Sequence, residues 1–139
     1  MKALIRISGK VGVDTGVANA LYRLRLRKKY ACVVLHDSKE LEGMIKKVRD
    51  FIAFGNIDKE TLKELIIKRA RLPGDKAIKI DAEKIIEELI KGKSFEDLKI
   101  KPFFRLHPPR GGIVSKQHYP KGVLGDNKED INKLLRRML

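Results

Sequence analysis

The first 57 residues alternate strand and helix patterns, and this order limits the folds open to the chain more than any other feature. Apolar residues at every second position predict a strand over 2–8, with Ala3, Ile5 and Ile7 on its one buried face. The elements predicted next are a helix from Asp14 or Thr15 to about Leu24–Leu26, a strand over 31–36, a helix over 39–49 and a short strand over 50–54. This order predicts an α/β (α+β) sandwich whose helices pack on one face of the sheet.

The rest of the chain divides into a helical part and a basic part. The predicted elements are a helix from Asp58 to about Arg71, a turn at Pro73-Gly74-Asp75, a helix from Asp81 to Gly92, a strand at 102–106, an extended irregular loop at 107–125 and a helix at 127–138. We therefore expect a β-α-β-α-β core domain over 1–57, a helical insert packed on the core over 58–98, and a basic loop with a C-terminal helix over 99–139. We assign no chemistry to the insert.

Positive charge is concentrated in two separate blocks of the chain. The net charge is +14, and the pI is about 10.0. Residues 1–37 hold eight basic and two acidic side chains, residues 99–125 hold six basic and no acidic ones, and residues 58–98 hold ten of each. A surface built only for solubility would intersperse the two signs. The separation favours a polyanionic partner, with nucleic acid ahead of an anionic membrane, and a basic protein without such a partner is the alternative.

The acid-free stretch 99–125 has the residue types of a phosphate-binding loop. It contains the run Phe103-Phe104-Arg105-Leu106-His107-Pro108-Pro109-Arg110-Gly111-Gly112. Prolines stiffen the path of the chain, paired glycines let the backbone approach a ligand, and arginine presents a planar set of donors. These properties suit the phosphates of a polyanion better than a small-molecule pocket.

Composition argues against several other classes of protein. The single Cys32 rules out an internal disulfide. No apolar run has the length of a membrane span, and Lys2 and Arg6 interrupt the apolar segment that a signal peptide would need. Trp is absent and aromatic residues make up 6% of the chain, so a large platform for stacking single-stranded bases is not expected.

Two glycine-containing segments are similar to nucleotide-binding loops but do not match them. Gly9, Gly12 and Gly16 lie between a predicted strand and a helix, where phosphates bind, yet their spacing fits neither a Walker loop nor the dinucleotide fingerprint. The triplet Gly92-Lys93-Ser94 follows a predicted helix instead of preceding one. We interpret both as ordinary loops, with Lys10 of the first as a candidate contact to an RNA phosphate.

Neither a catalytic site nor a metal site is predicted. The run His36-Asp37-Ser38 contains the residue types of a hydrolytic triad, but adjacent residues do not project together, so we interpret it as a strand end followed by a helix cap. His107 and His118 have no cysteine or carboxylate between them, and Cys32 has no cysteine partner. The residues therefore show no site for covalent, acid–base or metal chemistry.

Contacts to a polyanion are expected in the two basic blocks. Alone, the first block would be interpreted as a solvated face. Its side chains are Arg23, Arg25, Arg27, Lys28 and Lys29. In the second block we interpret Phe103, Phe104 and Leu106 as core or docking residues. The contacts predicted there are Arg105, His107, Arg110, Lys116, His118 and Lys121. Two loops at the edge of one sheet can grip adjacent phosphates, so we expect the two blocks to converge in space.

Three segments make the chain resemble a known protein family. They are Leu24-Arg25-Leu26-Arg27-Lys28, the run Gly43-Met44-Ile45-Lys46-Lys47-Val48 followed by Asp50-Phe51-Ile52-Ala53-Phe54-Gly55, and Arg105-Leu106-His107-Pro108-Pro109-Arg110-Gly111-Gly112. Together they are similar to the large-ribosomal-subunit protein family numbered thirty in bacteria and archaea and seven in eukaryotes, in its longer archaeal form. The third segment is the most specific, and the similarity extends over essentially the whole chain.

The resemblance implies a fold, a partner and a mechanism. The fold is a three-stranded antiparallel sheet with two helices, related to the ferredoxin-like arrangement. The partner is large-subunit ribosomal RNA in the cytoplasmic ribosome, clamped through its phosphates and recognised by shape, with neighbouring ribosomal proteins as further contacts. Enzymatic activity, a cofactor, a membrane and a small-molecule substrate are not implied. Carried over by position, the RNA-facing residues are Lys10, Arg25, Arg27, Lys28, Lys29, Arg105, His107, Arg110, Gly111, Gly112, Lys116, His118 and Lys121.

One residue departs from the family pattern, and two other functions stay open. Arg25 stands where bacterial members usually have glycine, and a left-handed conformation there would cost arginine about 1 kcal/mol relative to glycine. A free-standing basic nucleic-acid-binding protein, such as a chromatin or RNA-chaperone module, would share the charge pattern. An enzyme acting on RNA would depend on His107 or His118 for its reaction.

Overall fold

Strands from both ends of the chain share one sheet, and helices pack on it. The computed structural model describes residues 1–139 except 10, 73–75, 78–80, 114, 116 and 120. The elements are β1 (Lys2–Arg6), α1 (Thr15–Arg23), β2 (Ala31–Leu35), α2 (Lys39–Val48), β3 (Ile52–Asn56), α3 (Lys59–Arg69), β4 (Arg71–Leu72), β5 (Lys76–Ala77), α4 (Ala82–Ile90), β6 (Phe104–Arg105), β7 (Gly125–Asp126) and α5 (Ile131–Met138). The predicted turn at 73–75 lies outside the described residues.

The main sheet has five strands in the order β6-β2-β1-β3-β7 and is mixed. Its centre is the predicted antiparallel trio, in which Ala3 of β1 pairs with Val34 of β2 and Gly55 of β3. On one edge β6 pairs antiparallel with β2, and on the other edge β7 pairs parallel with β3. The prediction of a three-stranded antiparallel sheet is therefore wrong in extent. The strand predicted at 102–106 is present as the two-residue β6, while β7, also two residues long, is too short for an alternation of apolar residues to reveal it.

Helices cover both faces of this sheet, which corrects the prediction that they lie on one face. Ala3 and Ile5 face an apolar core that includes side chains of α3, α4 and α5. Leu4 points to the opposite face, where it packs with side chains of α1 and α2. Alternate residues of a strand face opposite sides, so two-sided burial requires two helical layers. The polar Arg6 shares the face of Leu4 and hid this burial from the sequence pattern.

Several element boundaries differ from the prediction for local reasons. β3 begins at Ile52 because Asp50 and Phe51 belong to the turn after α2, where the Phe51 N–H donates to the Val48 carbonyl at 2.9 Å. α3 ends at Arg69 because Ala70 is already extended and the residues after it, Arg71 and Leu72, pair with β5. The boundaries of the three predicted segments, at 57 and 98, stay a prediction.

Helix starts follow the predicted caps. The side-chain acceptors and their backbone donors are Ser38 Oγ with Leu41 N at 3.1 Å, Asp58 Oδ1 with Thr61 N at 2.7 Å and Asp81 Oδ1 with Glu83 N at 3.1 Å. The interpretation of His36-Asp37-Ser38 as a strand end and a cap is thereby confirmed. Gly92 follows α4 with a φ of 100°, a conformation that glycine adopts without strain, and it ends that helix as predicted.

Gly55 lets the C-terminal segment approach β3, and we expect Gly55→Ala to lower the free energy of unfolding by about 1–3 kcal/mol. A Cβ atom there would overlap the backbone carbonyl of Lys128 and lie 3.0 Å from the Cβ atom of Ile131. Gly43→Ala is the matched control, since Gly43 is exposed within α2 with no atom in the way. It should stabilise the protein by about 0.5–1 kcal/mol. Urea unfolding of both variants measures the difference, and shifts of the same sign would contradict this packing.

Candidate nucleic-acid interface

The two basic blocks meet at one end of the main sheet, where β1 ends and β2 and β3 begin. The Tyr30 N–H, in the turn after α1, donates to the Arg6 carbonyl at 2.7 Å. The Leu106 N–H, in the second block, donates in turn to the Tyr30 carbonyl at 3.1 Å. Ala31 and Arg105 are register partners in β2 and β6. The expectation that the two blocks converge is confirmed for the 25–31 turn and the 102–106 segment.

A first groove lies between these two segments. Its lining residues are Arg25, Arg27, Lys28, Ala31, Pro102, Phe103 and Arg105. Four of the seven are cationic and none is acidic, so anionic groups are attracted into the groove. Arg25 also pairs with Glu96 at the surface, which neutralises part of this charge. Lys29 is exposed on the same turn, with its ammonium 5.1 Å from the centroid of the Tyr30 ring.

A second groove lies beside the first, and the sequence did not reveal it. Its lining residues are Arg69, Arg71, Lys101, Phe103 and Arg105. Arg69 and Arg71 belong to the helical insert, to which no chemistry was assigned because its charges balance. The Lys101 N–H donates to the Arg71 carbonyl at 3.0 Å and brings the two parts of the chain together. No local pattern in the sequence marks these residues, since their clustering depends on that long-range contact.

The loop after β6 is fastened to the C-terminal helix. The ring nitrogens of His107 lie 2.7 Å from the Pro108 carbonyl oxygen and 2.6 Å from the Leu139 carbonyl oxygen. Arg137 donates from Nε to the Arg110 carbonyl at 3.0 Å and from its terminal nitrogen to the Gly112 carbonyl. The Arg110 side chain itself is exposed to solvent. His107 therefore has a structural role in this loop, and Arg110 is free to contact an anion.

The remaining predicted contacts are distributed along the same loop. Gly111 and Gly112 have φ values of 81° and 75°, so this turn requires the conformational freedom of glycine. The His118 Nε2 atom lies 2.8 Å from the Asp50 carboxylate and ties the loop to the turn before β3. Lys121 is exposed. The other two predicted contacts, Lys10 and Lys116, lie outside the described residues.

Arg6 holds this end of the sheet together from inside, although the strand pattern predicts an exposed face for it. Only 5% of its surface is accessible. Its guanidinium donates to the backbone carbonyls of Leu26 at 2.7 Å, Ser8 at 3.0 Å and Gly9 at 3.3 Å. Burial lowers the pKa of Arg6 from its usual value, although arginine stays protonated in proteins. An arginine inside an apolar strand was the available signal, because a charge there must be exposed or fully hydrogen-bonded.

Arg25 adopts a left-handed backbone conformation, at the position where bacterial members of the family that the sequence resembles usually have glycine. Its φ is 63°. It follows α1 in a Schellman motif, in which the Arg25 N–H donates to the Tyr22 carbonyl at 3.0 Å and the Leu26 N–H donates to the Leu21 carbonyl at 2.9 Å. Glycine is the usual residue at this position, so the arginine is retained at an energetic cost.

Comparisons with known proteins agree with the resemblance. The family described as ribosomal protein L30p/L7e matches residues 3–52. Large ribosomal subunit protein uL30 of Methanococcus maripaludis strain C5 is 41% identical, over 99% of this chain and 98% of its own length. The uL30 protein of Archaeoglobus fulgidus is 40% identical over 99% of both chains. The chain belongs to the uL30 family.

The family assignment settles the class of protein. The uL30 family consists of structural proteins of the large ribosomal subunit and is not an enzyme family, in agreement with the sequence analysis. Both relatives named above are archaeal large-subunit proteins, so the chain is assigned to the cytoplasmic ribosome. The mixed five-stranded sheet with helices is compatible with the ferredoxin-like arrangement that the resemblance implied.

The described residues do not support a metal site, a reactive cysteine or a membrane-spanning helix. Within the described residues, no group of three or more His, Cys, Asp or Glu side chains could hold a metal ion. Burial raises the pKa of the Cys32 thiol, which is fully enclosed in the core, so a reactive thiolate is disfavoured. Among the helices described, none has both the length and the apolar character needed to cross a membrane.

The cost of Arg25 is measurable in this uL30 protein, and we expect Arg25→Gly to be more stable than Arg25→Ala by about 1 kcal/mol. Both variants remove the same charge and the same ion pair with Glu96, so their difference isolates the backbone conformation. Thermal or urea unfolding of the two variants gives the difference. Equal stabilities would show that the left-handed conformation of residue 25 costs nothing.

Proposed function

We propose that this uL30 protein binds folded ribosomal RNA of the large subunit by gripping its phosphates at the end of the sheet. The observation that carries the proposal is the convergence of the two basic blocks around Arg105, which lines both grooves. The contact residues proposed are Lys10, Arg25, Arg27, Lys28, Lys29, Arg105, His107, Arg110, Gly111, Gly112, Lys116, His118 and Lys121, together with the newly found Arg69, Arg71 and Lys101.

The physical basis of binding is electrostatic. Each phosphate that a basic side chain neutralises releases condensed counterions, so affinity falls steeply with salt. The Arg6 hydrogen bonds and the fastening of the loop to α5 hold the cations in a fixed pattern. A fixed pattern of cations is complementary to the fixed phosphates of a folded RNA. The protein then recognises the shape of the RNA more than its base sequence. Neighbouring ribosomal proteins are proposed as additional partners.

Sedimentation distinguishes this function from its closest alternative. A ribosomal constituent is expected in stoichiometric amount in the large-subunit fraction of a sucrose gradient, and it should remain there after a moderate salt wash. A free-standing nucleic-acid-binding protein would be found mostly outside the ribosomal fractions, and that result would overturn the proposal. For an RNA-directed enzyme, His107→Gln or His118→Gln would abolish a measurable reaction while binding persisted.

Arg110→Ala tests one proposed phosphate contact. We expect weaker RNA binding and a salt dependence, log Kd against log salt concentration, whose slope falls by about one unit. The melting temperature of the free protein should not change, because the Arg110 side chain is exposed. Lys59→Ala is the matched control, since Lys59 is an exposed cation at the opposite end of the sheet, beside Met1 and His36. An unchanged slope in the Arg110 variant would show that this side chain touches no phosphate.

A further inference from the structure

Phe103 and Arg105 form a ridge between the two cationic grooves. Both residues line both grooves. Phe104 between them is fully buried and packs edge-on against Phe95, with ring centroids 5.4 Å apart. Since successive residues of a strand face opposite sides, the burial of Phe104 turns its two neighbours toward the grooves. Phe103 is half-buried, so part of its ring is open to solvent while the rest packs on the core.

The surroundings of Phe103 suit a nucleotide with an accessible base better than they suit a row of phosphates alone. Arg25, Arg27 and Lys28 line the groove on one side, and Arg69 and Arg71 line the groove on the other. An aromatic ring between two sets of cations matches a nucleotide whose base stacks and whose flanking phosphates diverge. Stacking on aromatic side chains is the common way in which proteins bind unpaired RNA bases.

Another exposed aromatic ring nearby lacks this arrangement. Tyr22 is 60% exposed, but the Arg27 guanidinium carbon lies 4.0 Å from its ring centroid and covers one face. The Lys101 ammonium also lies over the Phe103 ring, but at 5.8 Å from its centroid it is farther away than the Arg27 guanidinium is from the Tyr22 ring. Phe103 is therefore the better placed of the two rings to accept a base.

We propose that Phe103 is a stacking site for one unpaired RNA nucleotide, bulged or splayed from a helix, whose two flanking phosphates lie in the two grooves. The inference rests on the proposed RNA-binding function and deepens it, because it adds recognition of a flexible base to recognition of phosphate shape. A protein with this site discriminates between RNA that presents an unpaired base at the ridge and fully paired RNA.

The test uses the full chain with three RNA probes in fluorescence anisotropy. The probes are a short oligoadenylate, the same oligomer with abasic central positions, and a duplex without unpaired bases. Phe103→Leu, which keeps an apolar side chain of similar size, should weaken binding of the oligoadenylate by about 5-fold or more. Its affinity for the duplex and its salt slope should not change. Phe103→Tyr keeps the ring and should bind all three probes like the wild type.

Two controls separate stacking from packing. The abasic probe should bind the unmodified protein more weakly by the same factor and should not distinguish it from Phe103→Leu. The comparison of the two probes on the unmodified protein does not depend on the folding of any variant. Melting curves establish whether Phe103→Leu is folded. Tyr22→Leu, the matched aromatic control, should leave the preference for oligoadenylate over the abasic probe unchanged.

The possible failures can be told apart. If Phe103→Leu binds the oligoadenylate as tightly as the wild type, or if the unmodified protein does not distinguish the abasic probe, the stacking site is wrong while the phosphate-binding surface stands. If Phe103→Leu weakens binding to the duplex and the oligoadenylate equally, Phe103 supports the surface only through packing. If the unmodified protein binds none of the probes and is absent from the large subunit, both proposals fail.

Discussion

Arg6→Met is expected to lower the free energy of unfolding of the free protein by about 3 kcal/mol or more. The substitution removes three hydrogen bonds from a guanidinium to the carbonyls of Leu26, Ser8 and Gly9. Hydrogen bonds to charged groups contribute about 1.5–3 kcal/mol each, and a buried acceptor left without a donor adds its desolvation penalty. The Met variant does not pay the desolvation penalty of a buried charge, and this offsets part of the loss. The size of the Met side chain prevents a large cavity, so the measured change reports mainly the lost hydrogen bonds.

Urea unfolding measures this loss, and Arg6→Lys provides the control. Lysine retains the charge but presents a single ammonium in place of a planar guanidinium, so it cannot reproduce the three bonds together. We expect the lysine variant to fall between the wild type and Arg6→Met. Hydrogen exchange should also accelerate at the Tyr30 amide, which donates to the Arg6 carbonyl. Wild-type stability in both variants would mean that Arg6 does not organise this end of the sheet.

The second large effect is expected from Leu21→Ala, which should destabilise the free protein by about 2–5 kcal/mol. Leu21 is fully buried in the core between α1 and the sheet, among residues that include Leu4 and Ile45. Truncation removes apolar contacts and leaves a cavity that the surrounding side chains fill only in part. Chemical or thermal unfolding measures the change.

Asn19→Ala is the matched control for this substitution. Asn19 is exposed on the same helix, so its replacement should change the free energy of unfolding by no more than about 0.5 kcal/mol. A negligible effect at Leu21, or a large one at Asn19, would refute the orientation of α1. Because α1 leads directly into the 25–30 turn, that outcome would also remove the basis for the first groove.

The two variants have different consequences for RNA binding. Leu21→Ala weakens the whole fold without moving any charge, so its folded fraction should show the wild-type salt slope. Arg6→Met loosens the 25–30 turn and the loop at Gly9, which carry proposed contact residues, so its folded fraction should bind RNA more weakly. Comparing the two at a temperature where both are folded separates global stability from local organisation of the surface.

The helices and the central strands were largely predictable from the sequence because their signals are local. The stripe of Val17, Ala20, Leu21 and Leu24 places α1, and capping side chains such as Ser38 and Asp58 place the helix starts. The short strands β6 and β7 form only because other parts of the chain present an edge to them. A two-residue segment has no periodicity of its own, so its pairing is a tertiary property.

The candidate surface was predictable in its charge and only partly in its membership. The concentration of basic residues in 1–37 and 99–125 is enough to indicate Arg25, Arg27 and Arg105 from the sequence alone. Arg69 and Arg71 were not predicted because the insert holds equal numbers of basic and acidic side chains. The charge of a surface depends instead on which side chains lie on the same face of the folded protein. His107 and His118, in contrast, were predicted as contacts, and in the structure both have intramolecular partners that composition does not reveal.

Linear sequence determined the order of the long elements, the helix caps and the amount of positive charge, since these depend on residues a few positions apart. Tertiary structure alone decided that helices cover both faces of the sheet, that Arg6 is an internal donor, and that Phe103 and Arg105 separate two cationic grooves. The physical reason is that burial, pairing of a short strand and the field at a surface are sums over neighbours in space. Those neighbours come from distant parts of the chain and meet only after folding.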